Sequence, residues 1–406
     1  MQTHARRRKV AIVLSSRPAS GGAFQYSRVL LEGLAATQSC VYDVSVVCLN
    51  QEWLPIARTL FSDVVSLPPQ RSILRRTRNA LRFTSCGHRI WDVIRHRCSP
   101  LCAHLKSSGF DLAILPCDTH HISDSPVPTL VPIHDLMYLY ERRFPEVGSW
   151  ANFRRRLTAD RLVCQRASGI LVDSPLGSDH VRHCFSVPQN RVFVVPFVPR
   201  QGAACEAPSD LTTQPSGIPS RFIFYPAQFW LHKNHVGLLK AIALLKQEGL
   251  SVNLVLCGAE KNSGSVVRRA VAELRLGNNV HNYGFVDEMQ LRWFYKNAVA
   301  MVMPTFFGPT NIPPLEAMLS GCPAAVSGVY AMEYQLGEAA LYFNPNDAGD
   351  MARCIRALWS SEPLRRDLIR RGQARVSSLT VKAFGDKINA AVLKILNVRS
   401  APPLTP

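Results

Sequence analysis

Phe306-Phe307-Gly308-Pro309-Thr310-Asn311-Ile312-Pro313-Pro314-Leu315-Glu316-Ala317-Met318 follows an apolar run that ends at Met303. The composition spells a strand, a turn-rich loop and then a helix. Proline is favoured in the first turn of a helix, where its missing N–H costs nothing, so Pro313 and Pro314 mark a helix start with Glu316 inside it. The free N–H groups and the dipole of such a start suit a phosphate. A carboxylate one turn further in can accept hydrogen bonds from the two vicinal hydroxyls of a ribose. It can equally complement the helix dipole, and spacing alone leaves both readings open.

Outward from this segment the same alternation repeats. Towards the N-terminus run Phe222–Tyr225, a helix over Val236–Gln247, Val252–Cys257, helices over Val266–Leu274 and Asp287–Asn297, and Ala300–Met303. Beyond it come Ala348–Trp359 and two closing amphipathic helices, Leu364–Val376 and Val381–Leu396. The first half alternates likewise, through Val10–Leu14, Phe24–Ala36, Val44–Cys48, Leu112–Leu115, Leu130–Ile133, Arg154–Arg166, Ile170–Val172 and Val192–Val195. Short apolar runs between longer amphipathic ones are the mark of βαβ units and parallel sheets. Between Pro199 and Ser220 small and turn-forming residues take over. The expected division is residues 1–199, a linker over 200–219, a second domain over 220–378 and a closing helix and tail over 379–406. The fold class is α/β with two doubly wound domains facing a central cleft, where ligands bind outside the carboxyl ends of the strands.

At 406 residues, 47% hydrophobic and 19% charged, the chain can fill two cores and is not a disordered protein. No run approaches the roughly 20 apolar residues that span a bilayer. Arg6-Arg7-Arg8-Lys9 before Val10–Leu14 mimics a signal peptide, but the apolar run is too short, so a first β-strand and a cytoplasmic location are expected. The twelve cysteines lack zinc spacing and read as buried thiols, and Cys117-Asp118-Thr119-His120-His121 reads as a structural loop. The formal charge of +18 is concentrated early, with 26 Lys and Arg against 14 Asp and Glu in the first 200 residues. Arg71, Arg75, Arg76, Arg78 and Arg82 form one cluster, and Arg154, Arg155 and Arg156 a second on one exposed side of a helix. Such surfaces are either solvated helix faces or contacts for anionic lipid headgroups or a pyrophosphate-linked acceptor. Nucleic acid is disfavoured, since no nucleic-acid motif is interleaved with the charge.

Three further constellations carry chemistry. In Tyr225-Pro-Ala-Gln-Phe-Trp-Leu-His232-Lys233-Asn234-His235 a cation meets a helix start, where it can steady a diphosphate leaving group or belong to a cap. In Val131-Pro132-Ile133-His134-Asp135, Asp135 can fix the His134 tautomer, or the ring can donate to a loop carbonyl. Ser20-Gly21-Gly22-Ala23 opens the first helix, either as a tight turn or to let backbone approach a phosphate. It does not satisfy the dinucleotide-binding G-x-G-x-x-G. Asp173-Ser174 reads as loop chemistry.

Together these residues resemble the family 4 retaining glycosyltransferases, whose signature is a Glu, seven residues, then a second Glu within Pro-Pro-Leu-Glu-Ala. Pro313-Pro314-Leu315-Glu316-Ala317 is similar to its second half, and Gly321-Cys322-Pro323 and Gly337-Glu338-Ala339-Ala340 are similar to the family's stretch that closes the donor domain. The first Glu is replaced by Gly308. The resemblance implies the GT-B fold of two Rossmann-like domains, with the acceptor bound by the first and a nucleotide-diphosphate sugar by the second. It implies transfer with retention, with no metal and no cofactor beyond the donor. On it, Lys233 and the Pro313 helix start steady the diphosphate, Glu316 the ribose and His134 the sugar, with Asp135 on the acceptor side. Gly21, Gly22, Gln228, His232 and Asn234 line the donor, as do Gly308, Thr310, Asn311, Ile312 and Pro313. Gln228 or His232 stands where the family usually has Arg. The expected acceptor is a glycan or lipid-linked intermediate, with possible contact with an anionic membrane at its inner face. The rival functions are a sugar-nucleotide epimerase of the same architecture and a non-catalytic basic protein binding polyanions.

Overall fold

The computed structural model describes residues 6–17, 22–37, 39, 41–68, 90, 91, 93, 94, 99–117, 119–199 and 217–398. Most of the expected linker, the Arg71–Arg82 cluster, Gly21 and Cys98 lie outside them. The chain forms two units. One comprises Met1–Leu136, Trp150–Pro196 and Val381–Pro406; the other comprises Met137–Ser149 and Phe197–Thr380.

The strands are β1 (Arg8–Leu14), β2 (Tyr42–Cys48), β3 (Val64–Ser66), β4 (Leu112–Ile114), β5 (Thr129–Pro132), β6 (Gly169–Val172) and β7 (Val192–Val194) in the first unit. In the second they are β8 (Ile223–Pro226), β9 (Leu254–Cys257), β10 (Val280–Asn282), β11 (Ala300–Met303), β12 (Ala324–Ser327) and β13 (Ala340–Phe343). Among the helices are α1 (Gly22–Ala36), α2 (Trp150–Arg166), α3 (Pro175–Phe185), α4 (His235–Gln247), α5 (Glu288–Asn297), α6 (Ile312–Leu319) and α7 (Val381–Val398).

Each unit is built on one parallel sheet, in the orders β3-β2-β1-β4-β5-β6-β7 and β10-β9-β8-β11-β12-β13. Central strands are covered on both faces, which is why they read as unbroken apolar runs: Val10 to Leu14, Leu254 to Cys257 and Ala300 to Met303 are all buried. The Arg8–Leu14 run is indeed a strand, paired in register with Tyr42–Cys48. α7 packs on α1 in the first unit. A Cβ on Gly385 would lie 2.1 Å from the Gly33 carbonyl oxygen, so the two helices meet through their glycines. Tyr42 donates to Asn389 across 2.8 Å, and Tyr26 stands edge-on to Phe384. Among the described residues no helix is long and apolar enough to cross a membrane.

Candidate active site

In the second unit the strand order reverses between β8 and β11, the position at which an open parallel sheet leaves a crevice outside its carboxyl ends. Both sequence-predicted donor segments leave the sheet there. After β8 the chain makes a 3-10 turn, Leu231–Lys233, and Asn234 at φ +56° caps α4. After β11 it runs through Thr305–Asn311 into α6, one residue before Pro313. The two loops are sewn together at one atom: the His232 carbonyl oxygen accepts the Phe306 N–H at 2.8 Å and the Thr305 hydroxyl at 3.3 Å. That bond brings the Lys233 turn against the Gly308 loop.

His232 is tied to Glu146. Its Nδ1 lies 2.6 Å from Glu146 Oε1, its N–H donates to the same oxygen at 2.9 Å, and its ring stacks on Phe307. Asn262 donates to the other Glu146 oxygen at 2.8 Å, and Asn262 Oδ1 accepts the Leu231 N–H. Burial alone would raise the Glu146 carboxyl. The donors from His232, Asn262 and its own backbone outweigh that and hold it below the usual carboxylate range. Gln228 is exposed and accepts from the Trp230 indole. Asn234 is used up by the fold, since Oδ1 takes the Gly237 N–H and Nδ2 donates to the Pro345 carbonyl. Its side chain acts as the cap of α4.

At α6 the expectation of several free N–H groups needs correction. Pro313 and Pro314 have none. The Asn311 N–H is taken by Gln335 Oε1 at 2.9 Å, while Gln335 Nε2 returns a bond to the Asn311 carbonyl. Ile312 is the one position of the first three in the helix that carries an N–H, so what the helix start offers an anion is chiefly its dipole. Thr310 is buried. Gly308 sits at φ +132°, and a Cβ there would lie 2.8 Å from Asn311 Nδ2. The loop is shaped for glycine, because an L side chain at that φ is strained. One turn in, Glu316 Oε2 accepts from Tyr295 at 3.1 Å, leaving Oε1 for another donor. Burial pushes the Glu316 carboxyl up; the Tyr295 bond opposes this and the Glu288 charge adds to it.

The first unit holds the other predicted residues. His134 follows β5, edge-on to Tyr26 with centroids 4.6 Å apart. Burial lowers its pKa, against the Asp135 charge and a hydrogen bond to the Pro116 backbone, which can only be the carbonyl. The ring thus takes the loop-carbonyl alternative. Asp135 instead meets Arg156 Nη2 at 2.9 Å, so Arg156 is not part of a free basic face, while Arg154 and Arg155 are exposed. Gly22 is exposed as the first residue of α1, with nothing within 4 Å of a Cβ placed on it. Ser174 caps α3 and donates to Asp173. His121 pairs with buried Asp124, the structural role expected of that loop. Cys184 is exposed and Cys117 partly so, against the expectation of uniformly buried thiols. Among the described residues no group of three or more His, Cys, Asp or Glu is placed to hold a metal ion.

Glu146, Asn262, Tyr295 and Gln335 were not legible as site residues. Pro145-Glu146 reads as an ordinary helix start with a carboxylate on its dipole, and nothing local ties it to a histidine 86 positions later.

The fold is that of the GT-B glycosyltransferases. Sucrose-phosphate synthase from Thermosynechococcus elongatus superposes with a TM-score of 0.69 at 18% identity, covering 97% of this chain and all of that one. The Anabaena protein HepE in complex with UDP gives 0.65 at 16%, covering 95% and 99%. Within that architecture, residues 212–375 match the family described as glycosyl transferases group 1. The O-antigen chain mannosyltransferase RfbU of Salmonella typhimurium is 24% identical over 242 residues, 60% of this chain. O-antigen chain mannosyltransferase B of Escherichia coli is 25% identical over 218 residues, 52% of this chain. The alignments span 64% and 56% of those relatives.

Proposed function

We propose that this chain is a retaining glycosyltransferase of family 4 that moves a hexosyl group from a nucleoside-diphosphate sugar to a glycan acceptor, without a metal or further cofactor. The observation that carries the reading is the His232 carbonyl bond, which holds the Lys233 turn beside the Gly308–Ile312 loop at the sheet's switch point. Lys233 and the α6 dipole stabilise the diphosphate as it gains charge, an interaction stronger in the transition state than in the ground state. Glu316 accepts from the ribose hydroxyls, and neutral His134 hydrogen-bonds the transferred sugar. The bond from the anomeric carbon to the phosphate oxygen breaks, the acceptor oxygen bonds that carbon on the same face, and the acceptor proton passes to the departing phosphate. The relatives named as O-antigen chain mannosyltransferases support a polysaccharide chain as acceptor and mannose as the sugar.

Thermal shift against UDP, GDP, dTDP and ADP tests the donor site, because a ligand that binds only the native state raises Tm. One nucleotide should stabilise the protein by several degrees, and Glu316→Ala should abolish the effect. No shift with any of them at millimolar concentration refutes the reading. Product made in EDTA should keep its yield and the donor's anomeric configuration by NMR; an inverted product would exclude the same-face route.

A further inference from the structure

Met137–Ser149 stands apart in sequence from the rest of the second unit, yet it belongs to that unit and fastens onto the loops that leave its sheet. Glu146 accepts from His232 after β8 and from Asn262 after β9. Phe144 stacks on Phe306 after β11, with centroids 5.3 Å apart and planes at 29°, and its ring centre lies 5.5 Å from that of Phe307. After β12, the Tyr330 hydroxyl donates to Glu141. β9, β8, β11 and β12 are neighbours in the sheet, so the segment is anchored along the carboxyl ends that border the switch point.

Arg143 stands among these anchors. Its guanidinium carbon is 4.9 Å from the centre of the Phe306 ring and 4.8 Å from that of Phe144, and its Nε donates to Glu141 at 3.0 Å. Two aromatic rings and a carboxylate thus hold the side chain in place, while 54% of it stays open to solvent. Among the described residues neither Nη group of Arg143 has a hydrogen-bond partner. A guanidinium fixed in this way presents a ready pair of N–H donors, the arrangement that meets two phosphate oxygens at once.

Phe306 is also the residue whose N–H the His232 carbonyl holds, so it carries Arg143 on its ring and abuts the Lys233 turn through its backbone. A departing diphosphate gains negative charge at this place. Lys233 supplies one cation, the α6 start chiefly a dipole, and Gln228 no charge. We propose that Arg143 is a second cation of the donor site, its free edge hydrogen-bonded to the nonbridging oxygens of the nucleoside diphosphate that Lys233 also holds. The assignment rests on the transferase reading above.

Isothermal titration of the full chain tests it, with whichever of UDP, GDP, dTDP and ADP raises Tm most. Arg143→Ala and Arg143→Gln should each weaken that nucleotide fivefold or more, and Arg143→Lys should recover part of the loss. Raising NaCl from 50 to 300 mM should weaken binding more in the unaltered chain than in Arg143→Gln. Arg142→Ala, at an exposed neighbouring position, should bind as the unaltered chain does. Removing Arg143 also uncovers the Glu141 charge, so the double variant Glu141→Gln with Arg143→Gln is compared with Glu141→Gln alone and should still lose at least threefold. Full affinity in that double variant would show that Arg143 only masks Glu141, and it overturns the proposal. A loss under fivefold in the single variants, or an equal loss in Arg142→Ala, overturns this assignment while leaving the donor site in place. An unaltered chain that binds none of the four nucleotides removes the donor reading and this assignment with it.

Discussion

At the scale of single residues, chemistry here depends on the hydrogen-bonding capacity each side chain has left to offer. Glu316 keeps one oxygen after Tyr295 has taken the other, whereas the Asn234 side chain, equally suggestive in the sequence, is spent on the fold, and His232 gives its Nδ1 to Glu146. Gly308 was readable as a departure from a signature, but only its φ of +132° shows that the loop holds a backbone conformation that favours glycine. His235 has a different role. Buried against the rings of Phe229 and Tyr225, it is held neutral with a pKa of about 3, chiefly by burial and helped by the Lys233 and His232 charges. Between pH 6.5 and 3 the unfolded chain binds a proton that the native state refuses, so stability is present above about pH 6.5 and lost as pH falls. Urea unfolding should show a loss of about 2 kcal/mol between pH 7 and pH 5 from this residue. His235→Phe should flatten that slope, and an unchanged slope would show that other groups cause it.

At the scale of elements, the decisive unit is the turn before α4. Its shape depends on Glu146, a carboxylate that receives the His232 amide and ring on one oxygen and Asn262 on the other. Glu146→Ala removes a charged acceptor shared by the half-buried His232 amide and ring and the exposed Asn262 amide, and a hydrogen bond to a charged group is worth about 1.5–3 kcal/mol. The turn then loosens and Lys233 loses its position. The expected outcome is a lower Tm together with weaker nucleotide binding by isothermal titration, with Glu146→Gln recovering part of both. Retained nucleotide affinity in the Ala variant would show that the turn does not depend on this carboxylate. The helix starts were legible because their signals are local: Asp287 with Gln290 forms a capping box, and Pro313-Pro314 opens α6. The loss of N–H groups that the same prolines impose was legible too, yet the engagement of Asn311 by Gln335 was not.

At the scale of the whole molecule, the last helix belongs to the core of the first unit, and Met137–Ser149 to the second. The contact between Gly33 and Gly385 leaves no room for a side chain, so Gly385→Leu must push α7 off α1. Overpacking of this kind typically costs about 1–3 kcal/mol. Circular dichroism melting should show a drop of several degrees, while Lys387→Ala, on the same helix and exposed, should leave Tm unchanged. Equal stability of both variants would mean that the helices can separate freely. The sequence by itself determined the two alternating α/β halves, the strand–loop–helix around Gly308 and the places of Lys233, Glu316 and His134. Strand and helix periods, turn residues and caps act within a few residues of one another. Only the tertiary structure decided that Asp135 pairs with Arg156, that Glu146 holds His232, and that Tyr42 meets Asn389, 347 positions away. Such partners are selected by distance in space after the apolar faces have packed, and many polar residues along the chain could have filled each place.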